Sequence, residues 1–149
     1  MINIESSIEP QPVKSKLLKD AANAALKYQA GDGNLTIVLT DDAQLHQLNR
    51  DYLGIDRPTD VLSFPASETD PETGDRYLGD ILISIPRAQS QADAAGHALE
   101  SEVQLLVVHG VLHLLGYDHA EPKEKAKMWK AQAEILATLG LANIKIQES

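Results

Sequence analysis

The chain has 149 residues, a net charge of −9, an ordinary share of hydrophobic residues and no cysteine. That length suits one domain with its own core, and the lack of thiols excludes disulfides, thiolate nucleophiles and sulfur-ligated metal. The acid excess, concentrated before residue 120, argues against indiscriminate binding to polyanions. The opening MINIESSIEP lacks the basic-then-apolar pattern of a secretory leader, and the longest apolar-rich run, Leu105 to Leu115, is too short to span a bilayer. A cytoplasmic protein without a membrane partner is expected.

In chain order, Ile2 to Ile8 alternates apolar and polar residues and predicts a strand ended by Pro10 and Pro12. Val13 to Tyr28 reads as an amphipathic helix, with Val13, Leu17, Ala21, Ala24, Ala25 and Tyr28 roughly sharing a face. The β-branched run Leu35 to Thr40 predicts a strand. Asp41 or Asp42 then caps a helix starting near Ala43, with a stripe of Leu45, Leu48 and Tyr52 and a stop at Gly54. Asp60 to Pro65 predicts a third strand, and the polar stretch 66–77 a mobile surface loop.

Leu78 to Ile85 reads as a fourth strand, followed by a helix with Pro86 in its first turn and its end near Gly96. A helix from about Ala98 to Leu115 has a middle that is apolar nearly all round and should be buried, with Gly116 as a left-handed terminator. The last helix runs from Pro122 to Leu139, with Trp129, Ala133, Leu136 and Leu139 toward the core. The expected fold is a single α+β domain over residues 1–149. It has a mixed sheet of about four strands, helices packed on it and a metal site on the buried central helix.

The stretch HGVLHLLGYDH, residues 109 to 119, carries the chemistry. His109 and His113 are four residues apart and project from nearly the same side of a helix. Gly116 lets the chain turn back, so His119 can reach the same point. Three neutral imidazoles leave a coordination position open for water, as in catalytic zinc sites. Zinc suits three imidazoles, as do nickel, cobalt and copper. The H-x3-H-x5-H spacing is that of metal-dependent peptidases, yet their general-base glutamate, directly after the first histidine, is here Gly110. A glycine cannot take a proton from water, so peptidase chemistry is disfavoured. Asp118 is either an outer partner of an imidazole or a turn residue bonding its own backbone. His46 and His97 read as surface or structural histidines. Lys123, Lys125, Lys127 and Lys130 read as a solvated helix face, with RNA contact as the alternative.

HGVLHLLGYDH resembles the signature H-G-x-L-H-L-x-G-Y-D-H of the YbeY family of bacterial endoribonucleases. DRPTDVLSFP, residues 56 to 65, and LGDI, residues 78 to 81, resemble two further motifs of that family, in the same order. The resemblance implies a single-strand-preferring endoribonuclease with one zinc ion per chain, held by His109, His113 and His119. It implies a role in maturing the 3′ end of small-subunit ribosomal RNA and in ribosome quality control. Partners would be ribosomal RNA and the ribosome or its proteins. One departure stands out. The family commonly has an arginine, suited to stabilising phosphate charge, where this chain has Leu53. Arg50 and Arg57 are the nearby candidates for that contact.

Two other readings stay open at this level. Leu53 fits a non-catalytic, ribosome-associated factor whose metal stiffens the fold, and the histidine spacing alone fits a peptidase-like hydrolase. For a nuclease, attack by metal-activated water and internal attack by the ribose 2′-hydroxyl are equally compatible with the residues.

Overall fold

The computed structural model describes residues 1–29, 31–118, 120–142 and 144. Their elements are β1 (Ile2–Ser6), α1 (Ser15–Tyr28), β2 (Asn34–Thr40), α2 (Asp42–Leu53), β3 (Val61–Thr69), β4 (Arg76–Ser84), α3 (Ile85–Ala95), α4 (Leu99–Leu114) and α5 (Pro122–Thr138). One open, mixed sheet of four strands has the order β1-β2-β4-β3. β1 and β4 run parallel to β2, while β3 runs antiparallel to β4 and forms an edge. The expected α+β architecture is the observed one.

The sheet's odd-numbered residues Leu35, Ile37, Leu39, Ile81 and Ile83 are fully buried, as the two-residue period of a strand requires when one face is covered. They belong to a single core cluster with residues of α1, α4 and α5. α4 is the centre of this arrangement: eleven of its sixteen residues are buried, and it packs against α1, α3, α5, β3 and β4. Its approach to the sheet depends on Gly110. A Cβ there would lie 2.8 Å from Cγ2 of Ile81, closer than carbon atoms pack. Any side chain at 110 must therefore push the helix off β4.

Two details of the strands differ from the sequence expectations. β1 stops at Ser6, because the Ser6 hydroxyl bonds both the N–H and the carbonyl of Ile8 and turns the chain. The polar stretch 66–77 is mostly hairpin: Glu68 pairs with Tyr77 and Thr69 with Arg76, leaving a turn that Asp70 caps through the Glu72 N–H at 2.8 Å. Backbone pairing at a solvated edge needs no apolar side chains, so composition hid it. A register irregularity between Pro65 and Glu68 interrupts this edge strand.

The apolar stripes also rotate. α1 buries Leu18, Ala21, Ala22, Ala25 and Leu26, and Tyr28 faces out to bond Glu134. α5 buries Met128, Ala131, Gln132, Ile135 and Leu136, so Ala133 is exposed. In α2, Leu45 and Asn49 are buried and Tyr52 is exposed. Among the described residues no helix is long and apolar enough to cross a membrane.

Candidate metal centre

α4 ends in a motif that the sequence anticipates. Gly116, at φ 101°, follows the last turn; its N–H bonds the His113 carbonyl, and the Tyr117 N–H bonds the Leu112 carbonyl at 2.9 Å. This six-to-one closure needs a residue free of a Cβ penalty at positive φ. It satisfies the helix-end carbonyls and turns the chain sharply after the second histidine.

His109 and His113 sit one turn apart on the side of α4 that opens to solvent, and both are half-buried. Their Nε2 atoms lie 3.1 Å apart, with ring centroids 4.7 Å apart and planes at 75°. Two nitrogens each about 2.0–2.1 Å from a tetrahedral ion would be about 3.3 Å apart, so this pair nearly matches one edge of such a site. The donors fit a metal that prefers imidazole. The third expected ligand, His119, lies outside the described residues, and among the described residues no cluster of three or more potential ligands occurs. Asp118, next to it, is exposed.

α5 brackets His109 from behind. Gln132 Oε1 lies 2.5 Å from His109 Nδ1, and the Trp129 ring meets the imidazole edge-on at 6.0 Å and 84°. Lys125 Nζ stands 5.6 Å from the Trp129 ring centroid. Lys123, Lys127 and Lys130 are exposed.

In front of the two imidazoles is a cleft of ≈ 560 Å³. Its walls are the segment between α2 and β3, the start of β3, and Arg87 and Gln91 of α3, with His109 and His113 at one side. Ser63 reaches from β3 to the Gly110 carbonyl at 3.4 Å and ties that wall to α4. Arg57 and Leu53 both line the cleft. Arg50 does not: it is exposed on α2, with its Nε 3.3 Å from Asp51 Oδ1.

The cleft also contains groups that no sequence pattern announced. Arg87 donates two hydrogen bonds to Asp42, at 2.9 and 3.1 Å, and Ser84 adds a third at 3.3 Å. The hydrogen bonds from Arg87 hold the Asp42 carboxyl below the usual carboxylate range, and Asp42 in turn raises Arg87. Gln91 donates to Asp60 at 3.3 Å. Arg87 thus reaches the cleft from a fixed fork geometry rather than as a waving surface charge. Its position in the first turn of α3 was visible; its meeting with Asp42 across the sheet end was not.

The other two histidines have local carboxylate partners. His46 Nε2 lies 2.7 Å from the exposed Asp56. His97 Nε2 lies 2.7 Å from Glu102 Oε1, and Glu102 is only 2% exposed. Burial pushes the Glu102 carboxyl above its ordinary range, with the His97 hydrogen bond opposing that shift.

Comparison with known proteins accords with the motifs. The family model described as Endoribonuclease YbeY matches residues 3–140. A protein named Endoribonuclease YbeY from Roseiflexus castenholzii is 49% identical over 151 residues, covering 95% of each chain. Its namesake from Moorella thermoacetica is 44% identical over 154 residues, covering 93% of this chain and 99% of its own. The solution structure of TM1509 from Thermotoga maritima superposes with a TM-score of 0.59 at 28% identity, covering 99% of this chain and 97% of that one. A match across nearly the whole chain at these identities leaves one conclusion: the chain belongs to the Endoribonuclease YbeY family.

Proposed function

We propose that the protein is a zinc-dependent endoribonuclease that cleaves single-stranded RNA, with one zinc ion held by His109, His113 and His119. Family membership supplies the reaction class, hydrolysis of RNA phosphodiester bonds. The observation that carries the metal is the Nε2 pair 3.1 Å apart at the wall of a cleft. When bound, such an ion supplies Lewis acidity at a phosphoryl oxygen and lowers the pKa of a coordinated water.

The chain's own residues supply the rest. His109 and His113 would hold the ion beside the sheet, because Gly110 lets their helix pack directly on Ile81 of β4. Arg57 lines the cleft and offers a cation to the RNA backbone; Arg50, turned toward Asp51, is the weaker of the two candidates. Tyr52 and Leu53, 71% and 53% exposed, stand where unstacked bases could rest, and the Phe64 ring meets Tyr52 edge-on at 5.9 Å. An exposed aromatic ring near an arginine-lined cleft favours single strands, whose bases can splay onto it.

Ribosomal RNA as the natural substrate, with the 3′ end of the small-subunit RNA as its target and a role in ribosome quality control in the cytoplasm, is the corresponding cellular proposal. It rests on the three sequence motifs shared with the family. Peptidase chemistry has no support from the site, since the position of its glutamate is closed by Ile81. The non-catalytic reading keeps one observation in its favour: Leu53 lines the cleft where the family pattern has an arginine.

The test is cleavage of a defined single-stranded ribosomal RNA fragment by purified protein, with and without a chelator, alongside His113→Ala. The proposal expects zinc-restored cleavage by the wild type and none by the variant. Lack of cleavage by zinc-loaded wild type would favour the non-catalytic factor. Product ends then separate the chemical routes: a 2′,3′-cyclic phosphate marks internal attack, a 5′-phosphate with a 3′-hydroxyl marks attack by water.

A further inference from the structure

We propose that Gln132 is a positioning residue that selects the tautomer of His109, so that the Nε2 lone pair of this ring faces His113 and any ion between them. The inference rests on the metal-dependent reading above and assigns to α5 a role in it.

Gln132 is fully buried, and its neighbours on the buried stripe of α5 are Met128, Ala131, Ile135 and Leu136. A polar side chain on such a stripe needs a return for its desolvation. Its Oε1 has one, the Nδ1 of His109 at 2.5 Å. Its Nε2 has no hydrogen-bond partner among the described residues. Leucine or methionine would fill the same space without that orphaned N–H group. What the position gains from an amide is therefore its oxygen.

An oxygen can only accept, so the facing Nδ1 must carry the hydrogen. A neutral imidazole holds one N–H, and the other nitrogen, Nε2, is left with an available lone pair. That is the nitrogen directed at His113. The edge-on Trp129 ring, from the same helix, limits rotation of the imidazole about this bond. The opposite amide orientation would present N–H groups to Nδ1, drive the hydrogen onto Nε2 and block coordination there; the two arrangements predict opposite tautomers.

Nitrogen-15 imidazole spectra of the metal-free wild type read the tautomer directly and need no variant. The proposal expects His109 with its hydrogen on Nδ1; a hydrogen on Nε2 overturns it. Zinc affinity, by competition with a chromophoric chelator, should fall about 10–100-fold in Gln132→Leu and be substantially recovered in Gln132→Glu, which restores an acceptor oxygen. The metal-free leucine variant should melt no lower than the metal-free wild type. Wild-type zinc affinity in the leucine variant would overturn the proposal, as would a loss of melting temperature with unchanged affinity, the mark of a purely structural residue. His113→Ala separates this from failure of the underlying reading. Should that variant keep wild-type zinc affinity, the metal centre itself falls and the role of Gln132 with it.

Discussion

The two ends of α4 treat histidine in opposite ways. At the amino-terminal end, His97 closes onto the buried carboxylate of Glu102, a partner five residues away. In the last two turns, His109 and His113 bring their Nε2 atoms toward each other beside an open cleft, while an amide from α5 holds His109 from behind. The first arrangement satisfies an imidazole internally and hides it. The second concentrates nitrogen donors beside a cleft open to solvent. Burial alone does not distinguish a proposed ligand from a brace; the identity of the group facing the ring does.

The sharpest way to break this comparison is a pair of alanine variants. His113→Ala should abolish zinc binding and RNA cleavage while leaving the metal-free melting temperature nearly unchanged, as read by elemental analysis, cleavage assay and calorimetry. His97→Ala should do the reverse: full zinc occupancy, and a stability loss of about 1–3 kcal/mol from leaving Glu102 without its partner. If both variants lose metal alike, the two ends of α4 are not functionally distinct.

The pH dependence of that second loss refines the contrast. The Glu102 carboxyl titrates above its ordinary value because it is buried. Its stabilising contribution is thus complete below the unfolded value and declines as pH rises through the raised folded one. Without His97 the folded value rises further, so the gap in melting temperature between wild type and His97→Ala should widen from acid to neutral pH.

Gly110→Ala tests the geometry of the His109–His113 end at a smaller scale. Alanine gains about 1 kcal/mol of helix propensity, but overpacking against Ile81 costs about 1–3 kcal/mol. A net loss of roughly 1 kcal/mol in denaturant unfolding should accompany weaker zinc binding. The smallest effect belongs to Asp42→Asn. Arg87 keeps the Asp42 carboxyl ionised below its ordinary range, so the wild type holds a contribution above the unfolded value that it loses as pH falls through the folded one. With both side chains partly exposed, the variant should flatten the acid limb by at most about 1 kcal/mol.

What the sequence made legible follows from what is local. His109, His113, Gly110 and Gly116 could be placed because helix periodicity and a glycine terminator act within a few residues. The four strands and five helices of the described residues were readable for the same reason. The rotated faces of α1 and α5 were not, because several adjacent alanines and leucines permit more than one stripe and only the partner helix chooses. The Asp42–Arg87 pair and the contact of Gln132 with His109 join residues 45 and 23 positions apart. No local pattern encodes such meetings. The hairpin hidden in residues 66–77 escaped because its stability lies in main-chain pairing rather than side-chain character.

The interruption of β3 has a consequence for what can pair with that edge of the sheet. A peptide docks on an edge strand by extending its ladder, which demands an unbroken row of main-chain donors and acceptors. Pro65 removes one donor, and the slip before Glu68 throws later groups out of step. A guest chain that relies on amide pairing would lose its grip partway along, whereas a ribose-phosphate chain never needed that row. The same defect also denies neighbouring copies an unbroken template for stacking edge to edge.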